Sequence, residues 1–222
     1  MKKYIKYLNK TEKVSVLMTV FNAEKYLKIS IQSILNQTYT NWELIIIDDC
    51  STDSSKKILK KYNNNKIRCF FLKKNLGRTR DLNYSLKKCK GHYLAILDAD
   101  DVSYQTRLSD QITFLRNNKN ISLLGSWGIK IDKKGKFLGN VKISNIDKKI
   151  KKTMLYKNII IHSSIIFYKK ILKTTGSYPV KLVYMQDYAF ILKVMKNFKV
   201  YVLPKVLTKF RITKTSMTFT VP

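Results

Sequence analysis

The sequence predicts a doubly wound α/β sheet, and three observations predict it. Short apolar, β-branched runs recur through the first half, segments with helical periodicity separate them, and acids collect where two of the runs end. Val14 to Met18 reads as a buried strand. Glu24 to Gln37 places Leu27, Ile31, Ile34 and Leu35 on one helical face, with Asn22 as a candidate N-cap. Leu44 to Ile47 is a continuous apolar run of the kind buried inside a parallel sheet. Ser51 to Ser54 then opens a helix reaching about Tyr62. Ile67 to Leu72 is the third strand, Arg78 to Lys88 the third helix and His92 to Leu97 the fourth strand.

Beyond Asp101 the alternation is less regular. Leu108, Ile112 and Leu115 mark a helix, and Ile121 to Lys136 reads as strands joined by a turn at Lys133 to Gly135. Ile159 to Tyr168 is strand-like, Asp187 to Lys196 helical, and Lys199 to Phe210 reads as two short strands broken at Pro204. No repeat or linker interrupts the chain, so residues 1–222 are expected to form one domain: 1–110 as a ligand-binding half and 111–222 as its continuation.

The chain has 222 residues, 45% of them hydrophobic, enough to fill a core and to exclude disorder as its main state. Seven Gly and three Pro exclude collagen-like chains, and Cys50, Cys69 and Cys89 form neither a disulfide framework nor a C-x-x-C zinc pair. Met1 to Lys10 lacks the apolar run of a signal peptide, and no stretch approaches the ~18 apolar residues that span a bilayer, so a cytoplasmic location is expected. The net charge is +30, carried by 38 Lys and six Arg, with +10 in residues 1–110 and +20 in 111–222. Two readings stand: a lysine-rich composition decorating solvated faces, or attraction of the second half to an anionic surface such as the inner leaflet of a membrane.

In a chain this poor in acids, six of fourteen fall in two clusters, Asp48, Asp49 and Asp53, then Asp98, Asp100 and Asp101. Each cluster starts at the carboxyl end of a predicted buried strand, the edge at which open α/β sheets bind ligands. Clustered carboxylates repel unless a cation or hydrogen bonds offset them. Helix capping by Asp49, Asp53 or Asp101 explains one acid per helix, not three. Asp98 and Asp100, two apart on an extended segment, point the same way and suit a divalent ion that completes its shell with phosphate and water. With no P-loop and no G-x-G-x-x-G after the first strand, phosphates must be met by a metal and isolated cations. Arg78 and Arg80, after the Asn75-Leu76-Gly77 turn, are candidates, although a solvated first helical turn would look the same.

These residues resemble family 2 glycosyltransferases, inverting enzymes that use nucleotide sugars. Four segments carry the resemblance: Val14 to Leu27 (VSVLMTVFNAEKYL), Ser33 to Ser54 (SILNQTYTNWELIIIDDCSTDS), Asn75 to Leu108 with GHYLAILDADD at its centre, and, more loosely, His162 to Leu192. The resemblance implies a GT-A fold, a Rossmann-like, mostly parallel sheet flanked by helices, with a less regular acceptor-side portion. It assigns Thr19 and Phe21 to the nucleotide pocket, Asp49 to the base, Asp98 to the neighbourhood of the ribose, and Asp100, in a DxD-type motif, to Mn2+ or Mg2+. Phe21 offers a face to a base, with core packing as its alternative; a carboxylate accepting from a uracil N–H would favour UDP.

Asp187, the sole acid after Asp147, matches the family's catalytic base, with helix capping as the alternative. The implied acceptor is a glycan or lipid-linked glycan of a surface polysaccharide or lipooligosaccharide. Departures are Cys50 where a Gly is common, Gln186 in place of Glu, and Thr213 in place of a His, which leaves Arg211 as the nearby cation. His162 either lines the acceptor side or is a hydrogen-bonded structural histidine. The chain is expected to leave no room for the tail some members carry. Two other classes compete: a basic module binding nucleic acid or membrane by charge, which would not need the acid clusters, and a sugar nucleotidyltransferase, whose Gly-rich phosphate segment is missing.

Overall fold

The computed structural model describes residues 12–213. Its first half follows the alternation of the sequence: β1 (Val14–Val20), α1 (Leu27–Leu35), β2 (Trp42–Asp48), α2 (Ser55–Leu59), β3 (Ile67–Phe71), α3 (Arg78–Lys88) and β4 (Tyr93–Ile96). The rest comprises β5 (Val102–Ser103), α4 (Arg107–Asn117), β6 (Ile121–Ile131), β7 (Phe137–Val141), α5 (Asp147–Met154), β8 (Ile166–Tyr168), α6 (Leu172–Thr175), α7 (Gln186–Asn197) and β9 (Lys199–Arg211), with 3-10 turns at His162–Ser164 and Lys169–Ile171.

One sheet runs through all of it in the order β3-β2-β1-β4-β8-β6-β9-β5, with β7 on β6. β1 to β4 pair in parallel; β8 is antiparallel to both β4 and β6. The chain winds outward from β1 to β3 and returns to the other side of β1 as β4. Strand order thus reverses between β1 and β4, and a crevice opens beyond the carboxyl ends of β1, β2 and β4, where Asp49 and Asp98 follow the strands.

Side chains alternate between two cores. Val14, Val16 and Met18 pack with Leu44, Ile46 and the helix residues Leu27, Ile31, Leu108 and Ile112 on one face. Leu17, Ile45, Ile47 and Ile96 pack with Leu82, Leu86, Met154 and Phe190 on the other. Burial of both sheet faces explains why β2 is apolar almost without interruption.

Several expectations need correction. The first helix is shorter than Glu24 to Gln37, and Asn22 does not cap it. Its φ is +50°, and its Oδ1 accepts from the Thr52 backbone N–H at 2.8 Å, so it ties two loops together. The second helix starts at Ser55 and ends at Leu59. Ile121 to Ile131 is one strand, and the predicted turn leads to β7. Ile159 to Tyr168 is a strand only from Ile166, because the 3-10 turn precedes it. Lys199 to Arg211 is continuous: Leu203 pairs with Ser126 and Val206 with Trp127, so Pro204 sits in a bulge where its missing N–H costs no ladder bond. The helix α5 was not anticipated, since in DKKIKKTM only Ile150 and Met154 mark a buried face. No helix among the described residues is long and apolar enough to cross a membrane. The reading of Met1 to Lys10 lies outside the described residues.

Candidate active site

The crevice at the switch point is a cavity of about 760 Å³ lined by Thr19, Phe21, Asp49, Arg78, Asp98 and Asp100, with Asp81, Lys133 and Thr213 also on its wall. A second concavity, about 820 Å³, lies between α1 and residues 102–106. It is lined by no carboxylate, so the first is the candidate site.

Phe21, just past β1, is 52% exposed on the cavity wall, which removes core packing as its explanation. At the end of β2, the buried Asp49 accepts from two backbone amides, Leu76 N–H at 2.7 Å and Gly77 N–H at 2.9 Å. Gly77 has φ +85°, a conformation that favours glycine and lets the loop turn its N–H groups toward Asp49. Each Asp49 oxygen retains a lone pair for a further donor. Asp81, in the first turn of α3, abuts Asp49; burial and then the charges of Asp49 and Asp48 push its carboxyl up to about 8. A carboxyl raised this far favours its protonated form at neutral pH, which lets Asp81 sit beside the Asp49 carboxylate.

The end of β4 is handled differently. Asp98 Oδ1 accepts from Arg78 Nη2 at 2.6 Å, and Asp98 N–H donates to Ser163 Oγ at 3.0 Å. Arg78 Nη2 also lies 3.1 Å from His162 Nδ1, while His162 Nε2 is 3.1 Å from the Tyr178 hydroxyl. Burial opposes the Asp98 charge, but the Arg78 guanidinium and His162 hold this carboxyl well below the usual carboxylate range. Asp100 has no such partner: burial and the Asp98 charge raise it, with Arg78 and Arg211 pulling weakly the other way. Asp101 is fully buried and raised, its Oδ1 accepting from the Arg211 backbone N–H at 2.7 Å, so it closes the fold rather than capping a helix.

Asp100 therefore presents a half-buried, undercompensated negative charge to the cavity. This suits a divalent cation that takes one or two protein carboxylates and completes its shell with diphosphate and water. Among the described residues no group of three or more potential metal-ligand side chains is assembled.

Arg78 and Arg80 diverge. Two residues apart on a helix, their side chains point about 200° apart. Arg78 lines the cavity, whereas Arg80 turns back to the Leu76 carbonyl at 3.2 Å, away from the lining. Arg211 is buried, stacks over the Tyr26 ring and donates to the carbonyls of Asp100 and Asp132, so its guanidinium is engaged in backbone contacts and is not part of the cavity lining.

Asp187 is also outside the cavity lining. It lies within the first turn of α7, whose cap is Met185 at φ +58°, and its Oδ2 accepts from Asn158 Nδ2 at 3.0 Å. Its charge nonetheless reinforces that of Arg78, a partly exposed guanidinium whose protonated form is favoured first by Asp98 and then by Asp187. His162 is buried in this network, as the structural alternative had it, and links Arg78 to Tyr178. Sequence reasoning missed Asp81 and Tyr178. An acid in the first turn of a helix that follows a Gly turn, in so acid-poor a chain, was the available signal for Asp81.

Among the described residues, Asn22, Cys50 and Met185 are the non-glycine residues with left-handed φ; Asn22 lines the cavity, Cys50 follows Asp49, and Met185 caps the helix that carries Asp187. Such strain clusters where surrounding structure fixes functional groups. At Cys50, φ +61° explains why glycine suits the position following Asp49.

A mixed sheet whose parallel β1 to β4 open a switch-point crevice, with helices on both faces, is the GT-A glycosyltransferase architecture of the solved structures this chain matches. The chain belongs to glycosyl transferase family 2, whose model matches residues 15–176. It is 38% identical over 205 residues to the uncharacterized glycosyltransferase MJ1057 of Methanocaldococcus jannaschii, covering 90% of this chain and 70% of that protein. It is 38% identical over 170 residues to the O-antigen biosynthesis glycosyltransferase WbnJ of Escherichia coli, covering 73% of this chain and 65% of WbnJ. The crystal structure of S. aureus TarS 1-349 in complex with UDP-GlcNAc matches with a TM-score of 0.79 at 22% identity, over 95% of this chain and 61% of that one. The likeness to TarS establishes the fold, and the chain spans less than two thirds of WbnJ and of that TarS chain.

Proposed function

We propose that the protein is an inverting glycosyltransferase that moves a sugar from a UDP-sugar to a glycan acceptor in surface polysaccharide synthesis, acting on the cytoplasmic side of the membrane. The observation that carries this reading is the convergence of Asp49, Arg78, Asp98, Asp100, Thr19 and Phe21 on one switch-point cavity. The O-antigen role in the name of WbnJ supports the polysaccharide setting, and three free cysteines suit a reducing compartment.

In this reading Phe21 supports the base and Asp49 accepts from its N–H. Asp98, fixed by Arg78, bonds the ribose, and Asp100 faces the diphosphate. Mg2+ or Mn2+, held by Asp100 and the diphosphate, would supply charge neutralisation to the leaving group. Asp187 takes the acceptor hydroxyl proton as that oxygen bonds to the anomeric carbon from the face opposite the breaking bond to the diphosphate oxygen. UDP leaves with the bonding pair. Arg78, between Asp98 and Asp187, holds the two carboxylates in register. Lys133 faces the same cavity and adds positive charge for the diphosphate, whereas Arg80 serves the turn before α3.

The test is UDP release from a panel of UDP-sugars with Mn2+. Asp100→Ala and Asp187→Asn should each abolish transfer, with Asp187→Asn still binding UDP. Full turnover by both variants would overturn the assignment.

A further inference from the structure

The strongest feature outside the cavity is an exposed apolar surface beside Asp187. Leu155 and Tyr156, immediately after α5, are 73% and 81% exposed; Val183 and Met185, in the loop entering α7, are 67% and 55% exposed, with Leu182 and Tyr184 also open. The segments meet at the base of α7. The Tyr188 hydroxyl donates to the carbonyl of Met154, the residue before Leu155, and Asn158 bonds Asp187. Thr79 holds the Leu182 carbonyl at 3.0 Å, which fixes the second segment over the start of α3. Folded proteins seldom leave so many large apolar side chains in water together without a partner for them.

The surrounding charge indicates which partner. Residues 147–185 carry nine lysines and a single acid, Asp147. That acid is already paired with Lys151 at 3.1 Å, while Lys148, Lys149, Lys152, Lys157 and Lys181 are exposed. Aliphatic side chains with two tyrosines, surrounded by lysines, match the layering of a bilayer interface, with acyl chains below and anionic headgroups above.

We infer that this face seats on an anionic lipid surface and presents Asp187 to an acceptor sugar carried on a membrane-embedded lipid. The lipid-borne acceptor rests on the role proposed for Asp187; the docking does not.

The experiment is co-sedimentation of the full chain with vesicles of phosphatidylcholine alone and of phosphatidylcholine mixed with phosphatidylglycerol. A variant carrying Leu155→Ser, Tyr156→Ser, Val183→Ser and Tyr184→Ser keeps the net charge while removing the apolar layer. Binding is expected only to the anionic vesicles, weakened by salt, and roughly tenfold or more weaker for the variant, with UDP affinity unchanged. Equal binding of wild type and variant would show that charge alone acts, and would overturn the docking face. Absence of binding to either vesicle would overturn it as well and leave the patch to a protein. Vesicle binding by the wild type that is lost in the variant, together with no sugar transfer from any UDP-sugar, would sustain the docking while refuting the transferase reading.

Discussion

The two acid-bearing strand ends of the site meet the same electrostatic problem in opposite ways. After β2, Asp49 accepts from two backbone amides and abuts Asp81, whose carboxyl is raised, so that edge is suited to reading hydrogen bonds. After β4, Asp98 is ionised against the Arg78 guanidinium and Asp100 is left undercompensated, so that edge is suited to a cation and a diphosphate. Like clusters in sequence become a recognition edge and a charge edge, and the difference lies in which partners the fold delivers.

That contrast can be broken most forcefully at the charge edge. Asp100→Asn should lower kcat by about a thousandfold, a loss of the size seen when a key electrostatic contact to the leaving group is removed. Asp49→Asn should mainly raise KM for the donor by roughly ten- to a hundredfold, as one base-edge hydrogen bond to a charged group is lost. Steady-state kinetics on both variants checks the division; equal effects on kcat would erase it. Next in size is Arg78→Ala, which strands Asp98. Urea unfolding should show a loss of about 3 kcal/mol, the lower end for severing a buried ion pair, given that both side chains keep some exposure.

The edges should also differ in sign with pH. Asp81 is raised from 3.8 to about 8, so the folded state binds its proton more tightly than the unfolded chain. Its stabilising contribution is complete below pH ~4 and is lost as pH rises through about 8. Asp98 is lowered, so its contribution is present above the usual carboxylate pKa and lost as the medium becomes acidic. Urea midpoints measured across pH should therefore fall on the alkaline side through Asp81, and Asp81→Asn, which keeps a donor without the titration, should flatten that limb. The smallest expected effect is at the turn after Asp49: Cys50→Gly should gain about 1 kcal/mol by relieving the left-handed backbone, read as a rise of a few degrees in Tm.

The sheet was legible in sequence because a strand buried on both faces must be apolar without interruption, as Leu44 to Ile47 is, and because acids that end such runs have no business in a core. The placement of Asp98 and Asp100 on one cavity beyond β4 was legible for the same reason. Pairings were not. Arg78 reaches Asp98 across 20 residues and His162 across 84, and only the third dimension separates Arg78 from Arg80. Helix α5 escaped because two buried residues among four lysines give little periodicity, and Pro204 misled because a bulge excused its missing donor. The second half mixes a long, bulged parallel pairing of β6 with β9, short antiparallel pairings to β8 and irregular turns, for which hydrophobic period carries a weaker signal.

The most direct measurement is isothermal titration of UDP into the wild-type chain and into Asp100→Asn, each with MnCl2 and with EDTA. Wild type should bind UDP tightly only with Mn2+, and Asp100→Asn should bind weakly and alike in both. Wild-type binding as tight in EDTA as in Mn2+, matched by Asp100→Asn, would contradict a diphosphate gripped through a cation on that carboxylate.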